Sequence, residues 1–239
     1  MKKTRQNKNF DLIIFDCDGV LVDSEVISCR AHAETLTRHG YPITSDQVFD
    51  RFLGHSMRKA TLEIEAELGR RLPDDFHTQV YAEIFRLFAA SLQATPHIDG
   101  ALAAIMLPVC VASSGPPEKI STSLNHVGLY DRFAPHIFSA VQVSNGKPAP
   151  DLFLFAAKQM QTSPARCLVI EDSVAGVTAG CAAGMTVLGF HGGSHCRPNT
   201  ADTLRAAGAA VTFDDMRQLP DLIAQIGQKP DLIAGFSGV

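Results

Sequence analysis

The sequence predicts an α/β fold, a Rossmann-like parallel sheet carrying an inserted, small all-helical cap. Three observations predict it. Short apolar runs, each closed by a polar residue, alternate with stretches of helical periodicity, as a doubly wound sheet requires. One long stretch, from about Ser24 to Thr95, carries helical pattern alone. That stretch falls between the first apolar run and the second, so it interrupts a single α/β domain instead of preceding one.

The elements follow in order. The run DLIIF ends at Asp16 and predicts the first strand; LPVCVA before Ser113, RCLVI before Glu171 and MTVLGF before His191 predict three more. Between them, 117–127, 150–161 and 174–183 have Pro, Asp or Ser near their starts, which marks them as crossover helices. Inside the insertion, helices are predicted over 26–39, closed by Gly40, over 45–53, over 57–68, closed by Gly69, and over 73–92. Ser24 is read as the N-cap of the first of these, with no part in chemistry. The division that follows is a core of residues 1–22 and 96–239 and a cap of residues 23–95. Near the C-terminus PDLIA occurs at 220–224 and again at 230–234; the first copy belongs to the last helical region and the second to a frayed tail.

Composition sets bounds on partners. Of 239 residues 46% are apolar and 19% charged, the proportions of an ordinary soluble domain. The net charge is −4, and the basic residues Lys2, Lys3, Arg5 and Lys8 crowd into the N-terminus, leaving an acidic remainder. This excludes the basic stripe of a nucleic-acid binder. The apolar run after the basic start is LIIF, too short for a secretory signal, and other runs fall well below the ~20 residues that span a bilayer. A cytoplasmic protein without membrane attachment is expected; the sequence leaves the oligomeric state open, a monomer included. The six cysteines are scattered without a CxxC pair, three of them inside apolar runs, as small core residues of a reducing compartment. His191, His195 and Cys196 share a Gly-rich loop but lack the spacing of a structural zinc site.

In a parallel α/β sheet ligands bind beyond the carboxyl ends of the strands. The polar residues there are Asp16 and Asp18, Ser113 and Ser114, Glu171 and Asp172, with Lys147 in the loop NGKPAPD. Carboxylates brought together repel by a few kcal/mol per pair at an effective dielectric of about 20, so a cation must join them. A hard divalent ion, Mg²⁺, suits oxygen donors and substrate phosphate. Lys147 and the Ser113 hydroxyl then suit the peripheral oxygens of an anionic group. In Asp-x-Asp one carboxylate can attack phosphorus while the other, protonated, supplies a proton to the departing oxygen. The cluster describes phosphoryl transfer from a small phosphorylated metabolite. A serine hydrolase is excluded by the lack of GxSxG, and a P-loop kinase by the lack of GxxxxGK[ST].

DCDG after LIIF, Ser113 after VCVA, Lys147 before Pro, and Glu171-Asp172-Ser173 followed by Gly176 resemble, in order, the four motifs of the haloacid dehalogenase superfamily. The resemblance implies Asp16 as nucleophile, Asp18 as general acid and then base, Ser113 with adjoining Ser114 and Lys147 as phosphate binders, and Asp16, Asp18, Glu171 and Asp172 around Mg²⁺, Asp18 through its main-chain carbonyl. A helical insertion directly after the first motif is similar to the β-phosphoglucomutase-like branch. DGVLVDSEVIS and SSGPPEKI are most similar to the sugar-acid phosphatases there, 6-phosphogluconate being one such substrate. A phosphosugar mutase is the first alternative, yet Met57, Ser28 and Gly115-Pro116 stand where a mutase would carry Arg, His and a Ser-Lys pair. A non-catalytic phosphometabolite-binding domain is the second, and the pair Asp16 and Asp18 argues against it. Substrate contacts are expected from Glu25, Arg51, His55, Ser56 and Arg58 of the cap and linker, and from Lys119.

Overall fold

The computed structural model describes residues 10–52 and 57–228. Six strands form one parallel sheet: β1 (Leu12–Phe15), β2 (Val109–Ser113), β3 (Ile137–Ser139), β4 (Cys167–Glu171), β5 (Thr186–Phe190) and β6 (Val211–Phe213), in the order β3-β2-β1-β4-β5-β6. After β1 the chain builds outward through β2 and β3, then returns to the other side of β1 for β4. The reversal falls at β1, and in open α/β sheets ligands bind beyond the strand ends at such a reversal.

The central strands are apolar throughout because both faces of the sheet are covered. Alternate residues serve opposite layers. Ile13, Phe15, Val111 and Ile170 belong to one buried cluster, and Leu12, Ile14, Cys110 and Val169 to the other. The first cluster is covered by α5 (Ile98–Ala104), α6 (Pro117–His126), α7 (Tyr130–Phe133) and α11 (Leu219–Gln228), through residues such as Leu102, Leu124, Phe133 and Ile226. The second lies under α8 (Asp151–Gln159), α9 (Val174–Ala182) and α10 (Thr200–Ala206), through Phe153, Val177 and Leu204.

Among the described residues, four helices occupy the chain between β1 and α5: α1 (Glu25–Arg38), α2 (Ser45–Phe52), α3 (Met57–Leu68) and α4 (Phe76–Ser91). Helix α1 packs on α2 and α4, and α4 also meets α6. The linker joins them to the sheet side by main-chain bonds, Asp23 N to Gln93 O and Thr95 N to Leu21 O, each 3.0 Å. Among the described residues no helix is long and apolar enough to cross a membrane.

The α/β architecture expected from the sequence is present, with four of the six strands where the apolar runs fall. The short edge strands β3 and β6 were not anticipated. Each has only three residues, and Ile137 and Val211 are partly exposed, so neither leaves an apolar run to read. The first PDLIA copy lies inside α11; the second is outside the described residues.

Candidate active site

Strand register brings the site together. Phe15 lies beside Val111 of β2 and Ile170 of β4, so Asp16, Ser113 and Glu171 emerge at one rim of the sheet. Asp16 extends the ladder by one bond, its N–H donating to Ile170 O at 3.0 Å. The chain then turns at Gly19, whose φ is +80° and whose missing Cβ leaves room for the Asp172 carboxylate; a Cβ there would lie 1.8 Å from Asp172 Oδ2. Only glycine lets the first motif and the end of β4 approach this closely.

Asp16, Glu171 and Asp172 are all buried, and each offers one carboxylate oxygen within 4.8 Å of the others. Lys147 spans the group: its ammonium donates to Asp16 Oδ1 at 2.5 Å, Glu171 Oε1 at 2.6 Å and the Ala112 carbonyl at 3.0 Å. Its charge also sits 4.9 Å from the centre of the Phe153 ring. The second oxygen of Glu171 accepts from the N–H groups of Asp172 and Ser173 and from the Ser173 hydroxyl, at 3.1, 3.0 and 2.9 Å. Ser173 in turn caps α9 by accepting from Gly176 N. Glu171 thereby anchors Lys147 and the loop that carries Asp172.

Asp18 is held apart from this cluster. Its Oδ1 accepts from the Ser24 hydroxyl at 2.5 Å and from Lys119 Nζ at 2.7 Å. Burial pushes the Asp16 carboxyl well above its ordinary range, and the charges of Glu171 and Asp172 add to this against the pull of Lys147. Burial acts the same way on Asp18, but there the Lys119 ammonium and the Ser24 bond win, and its pKa is lowered. Asp16 is thereby biased toward its protonated form and Asp18 toward its ionised form. A cation held by Asp16, Glu171 and Asp172 would offset the first bias by favouring the charged carboxylates. The donor set, three carboxylate oxygens with neither sulfur nor nitrogen, fits a hard divalent ion.

His195 completes the enclosure, its Nε2 2.9 Å from Asp172 Oδ2. Burial works against the imidazolium, yet Asp172 outweighs it and carries the His195 pKa up to about 11. Burial likewise raises the Asp172 carboxyl, with the His195 contact pulling it back.

The sequence-predicted residues are distributed as follows. Ser113 is buried at the end of β2, its hydroxyl accepting from Gly115 N at 3.1 Å; Ser114 is exposed at the same rim. Ser24 does not cap α1 as expected. It makes no side-chain cap bond, because its hydroxyl is turned to Asp18. Lys119, expected at the substrate, is engaged with Asp18 and faces the Phe88 ring of α4 at 5.9 Å. Arg51 does not face the crevice: it bonds Tyr41 and Glu67, lies 3.3 Å from Glu63 and covers the Phe52 ring, tying α2 to α3. His55, Ser56 and the side chain of Arg58 lie outside the described residues. His195 and the Ser24 contact were missed. The signals were the GGSH sequence after β5 and a hydroxyl six residues beyond Asp18, neither of which names its partner.

Glu25, the first residue of α1, is raised to about 7, by burial first and then by the charge of Asp18, against the pull of Lys119. Its ordinary value is 4.5, so between those two pH values the folded state holds a proton that the unfolded state has released, and stability falls as pH rises. Glu25→Gln is therefore expected to stabilise the metal-free protein at pH 8, by about 1–2 kcal/mol after allowance for its partial exposure. The gain shrinks toward pH 5. Urea unfolding at both pH values checks this, and an equal difference at the two would contradict it.

This arrangement, an Asp-x-Asp turn, a strand-end serine, a buried lysine and a strand-end acid pair on one parallel sheet, defines a class of hydrolase. The family model of haloacid dehalogenase-like hydrolases matches residues 10–184, and the chain belongs to that family. It is 35% identical over 213 residues to 6-phosphogluconate phosphatase of Escherichia coli, covering 89% of this chain and 94% of that one. It is 30% identical over 184 residues to a phosphorylated carbohydrates phosphatase of Thermotoga maritima, covering 73% of this chain and 82% of the relative. A haloacid dehalogenase-like protein of Agrobacterium tumefaciens has the same fold, with a TM-score of 0.80, 39% identity and coverage of 91% of this chain and 99% of that one. Within the family the chain is a phosphatase.

Proposed function

We propose that the chain is a Mg²⁺-dependent cytoplasmic phosphatase of small phosphorylated sugars or sugar acids, 6-phosphogluconate among them, acting through an aspartyl phosphate on Asp16. Residues 23–95 serve as the cap over a core of residues 1–22 and 96–239. The observation that carries the reading is Lys147 bridging Asp16 and Glu171 at the rim where Ser113 and Asp172 also emerge. The similarity to phosphatases of phosphorylated carbohydrates supports the substrate class.

The proposed chemistry is a double displacement. A carboxylate oxygen of Asp16 forms a bond to phosphorus as the bond from phosphorus to the sugar oxygen breaks, and Asp18 gives its proton to that departing oxygen. Water then attacks phosphorus, Asp18 takes a proton from it, and phosphate leaves with Asp16 restored. Lys147 and the Ser113 hydroxyl hold peripheral phosphoryl oxygens throughout. Asp16, Glu171 and Asp172, joined by the Asp18 main-chain carbonyl that the family resemblance implies, would hold Mg²⁺, which when bound offsets the repulsion between carboxylates and phosphate dianion. Asp18 must be protonated for the first step, so the hold of Lys119 on its charged form has to weaken as substrate enters. The charge of Lys119 acts on Glu25, His32 and Tyr81, polar side chains of α1 and α4. These groups are suited to the hydroxyls of a polyol.

Phosphate release from a panel of phosphorylated sugars and sugar acids, with Mg²⁺ and with EDTA, tests the proposal. At least one member, with 6-phosphogluconate among the best, is expected to reach kcat/KM of about 10⁴ M⁻¹s⁻¹, and EDTA to abolish it. Binding without release across the panel would favour the non-catalytic module.

A further inference from the structure

We infer that His195 is a positioning residue for the metal carboxylate Asp172, an inference that rests on the metal-dependent reading above. The imidazole sits in a fitted place. It is 8% exposed, as is Asp172, and its Nε2 faces Asp172 Oδ2 at 2.9 Å. That contact is attractive only with a proton on Nε2, donated to the carboxylate. Committing Oδ2 to His195 leaves Oδ1 for a cation and fixes the rotation of the carboxylate, the part that hydrogen-bonded outer groups play around many metal sites.

The loop after β5 is shaped to deliver this ring. A Cβ on Gly193 would come within 2.6 Å of His195 Cε1, and one on Gly19, across the crevice in the first motif, within 2.9 Å. The ring is thus held between two glycine backbones, one from its own loop and one from the turn that follows Asp18. The neighbouring Ser194 fastens the loop to the linker, its N–H and hydroxyl both donating to Asp23 Oδ1, at 3.1 and 2.8 Å. Farther along, Arg197 reaches α2, 3.2 Å from Asp50 and 4.7 Å from the centre of the Phe49 ring. Among the described residues Nδ1 of His195 is buried without a hydrogen-bond partner. Nε2 also lies 3.5 Å from Cys196 Sγ, a weak partner, and the carboxylate it meets is that of Asp172.

The test is a Mg²⁺ titration of the EDTA-stripped protein, read as the rise in unfolding temperature with ion concentration. His195→Ala is expected to weaken apparent Mg²⁺ affinity about 10-fold to 100-fold. His195→Gln, whose side-chain N–H can reach the same oxygen, is expected to recover most of it. A purely structural histidine would lower the metal-free unfolding temperature and leave the affinity unchanged; a ring that competes with the ion would make His195→Ala bind more tightly. Either result overturns the inference while leaving the phosphatase reading intact, whereas a wild type indifferent to Mg²⁺ overturns both. Long-range ¹H–¹⁵N spectra of the wild type give the same test without a substitution. Nε2 is expected to be protonated with Mg²⁺ bound and to shift when the ion is added. An unprotonated or unresponsive Nε2 contradicts the inference.

Discussion

Asp16→Asn is expected to reduce turnover by about 10⁴-fold or more, the scale on which nucleophile substitutions act, while leaving the protein at least as stable as the wild type without metal. The two halves of this expectation have one origin. Asp16 is buried beside Glu171 and Asp172, and its ionised form is disfavoured there. An amide of the same shape carries no charge to desolvate, and its oxygen still accepts from Lys147, which keeps its bonds to Glu171 and the Ala112 carbonyl. The carboxylate that the fold tolerates poorly is the one the chemistry needs, so removing it relaxes the site and silences it. Phosphate release together with thermal unfolding checks both halves. Substantial turnover in this variant would remove Asp16 from the nucleophile's role.

The second large effect is expected at Lys147, where Lys147→Met keeps an apolar stem and removes the charge that sits 4.9 Å from the centre of the Phe153 ring. The side chain is 4% exposed and bridges Asp16 and Glu171. Deleting one partner of a buried ion pair costs about 3–5 kcal/mol because the remaining charges are left without compensation. For a chain of this length that is a fall of roughly 10 °C in unfolding temperature. The same cluster is where Mg²⁺ is proposed to bind, so the ion should stabilise Lys147→Met more than it stabilises the wild type, though without restoring activity, since the group that holds phosphoryl oxygens is gone. Unfolding scans with and without Mg²⁺ measure this directly. A variant as stable as the wild type in EDTA would show that Lys147 does not balance the acids.

These two residues also show how much could be read from the sequence. Asp16 was legible because β1 is covered on both faces: an apolar run ending in Asp-x-Asp marks a strand end and its functional residue together. Lys147 was legible only in company, since one lysine in a loop means little until the strand ends supply carboxylates for it to join. The helices α6, α8 and α9 were readable from caps and periodicity, whereas β3 and β6 were not, being short, partly exposed edge strands. Ser24 was misread for a physical reason. A serine before a helix is a good cap by local rules, but the nearby Asp18 carboxylate is a stronger acceptor for its hydroxyl than the helix N–H groups are donors to it. The contact of Lys119 with Asp18 joins residues 101 positions apart, and that of His195 with Asp172 joins two separate strand ends; local pattern carries no trace of either.

The central claim is that phosphate passes through a covalent bond to one side chain at the end of β1, and rapid acid quenching of the enzyme during turnover of a phosphosugar, followed by mass spectrometry of the peptide that contains Asp16, tests it most directly. The expected result is one added phosphoryl group on Asp16, dependent on Mg²⁺ and absent from Asp16→Asn. An active enzyme whose Asp16 peptide never carries the group, at quench times that resolve a single turnover, would contradict the covalent route.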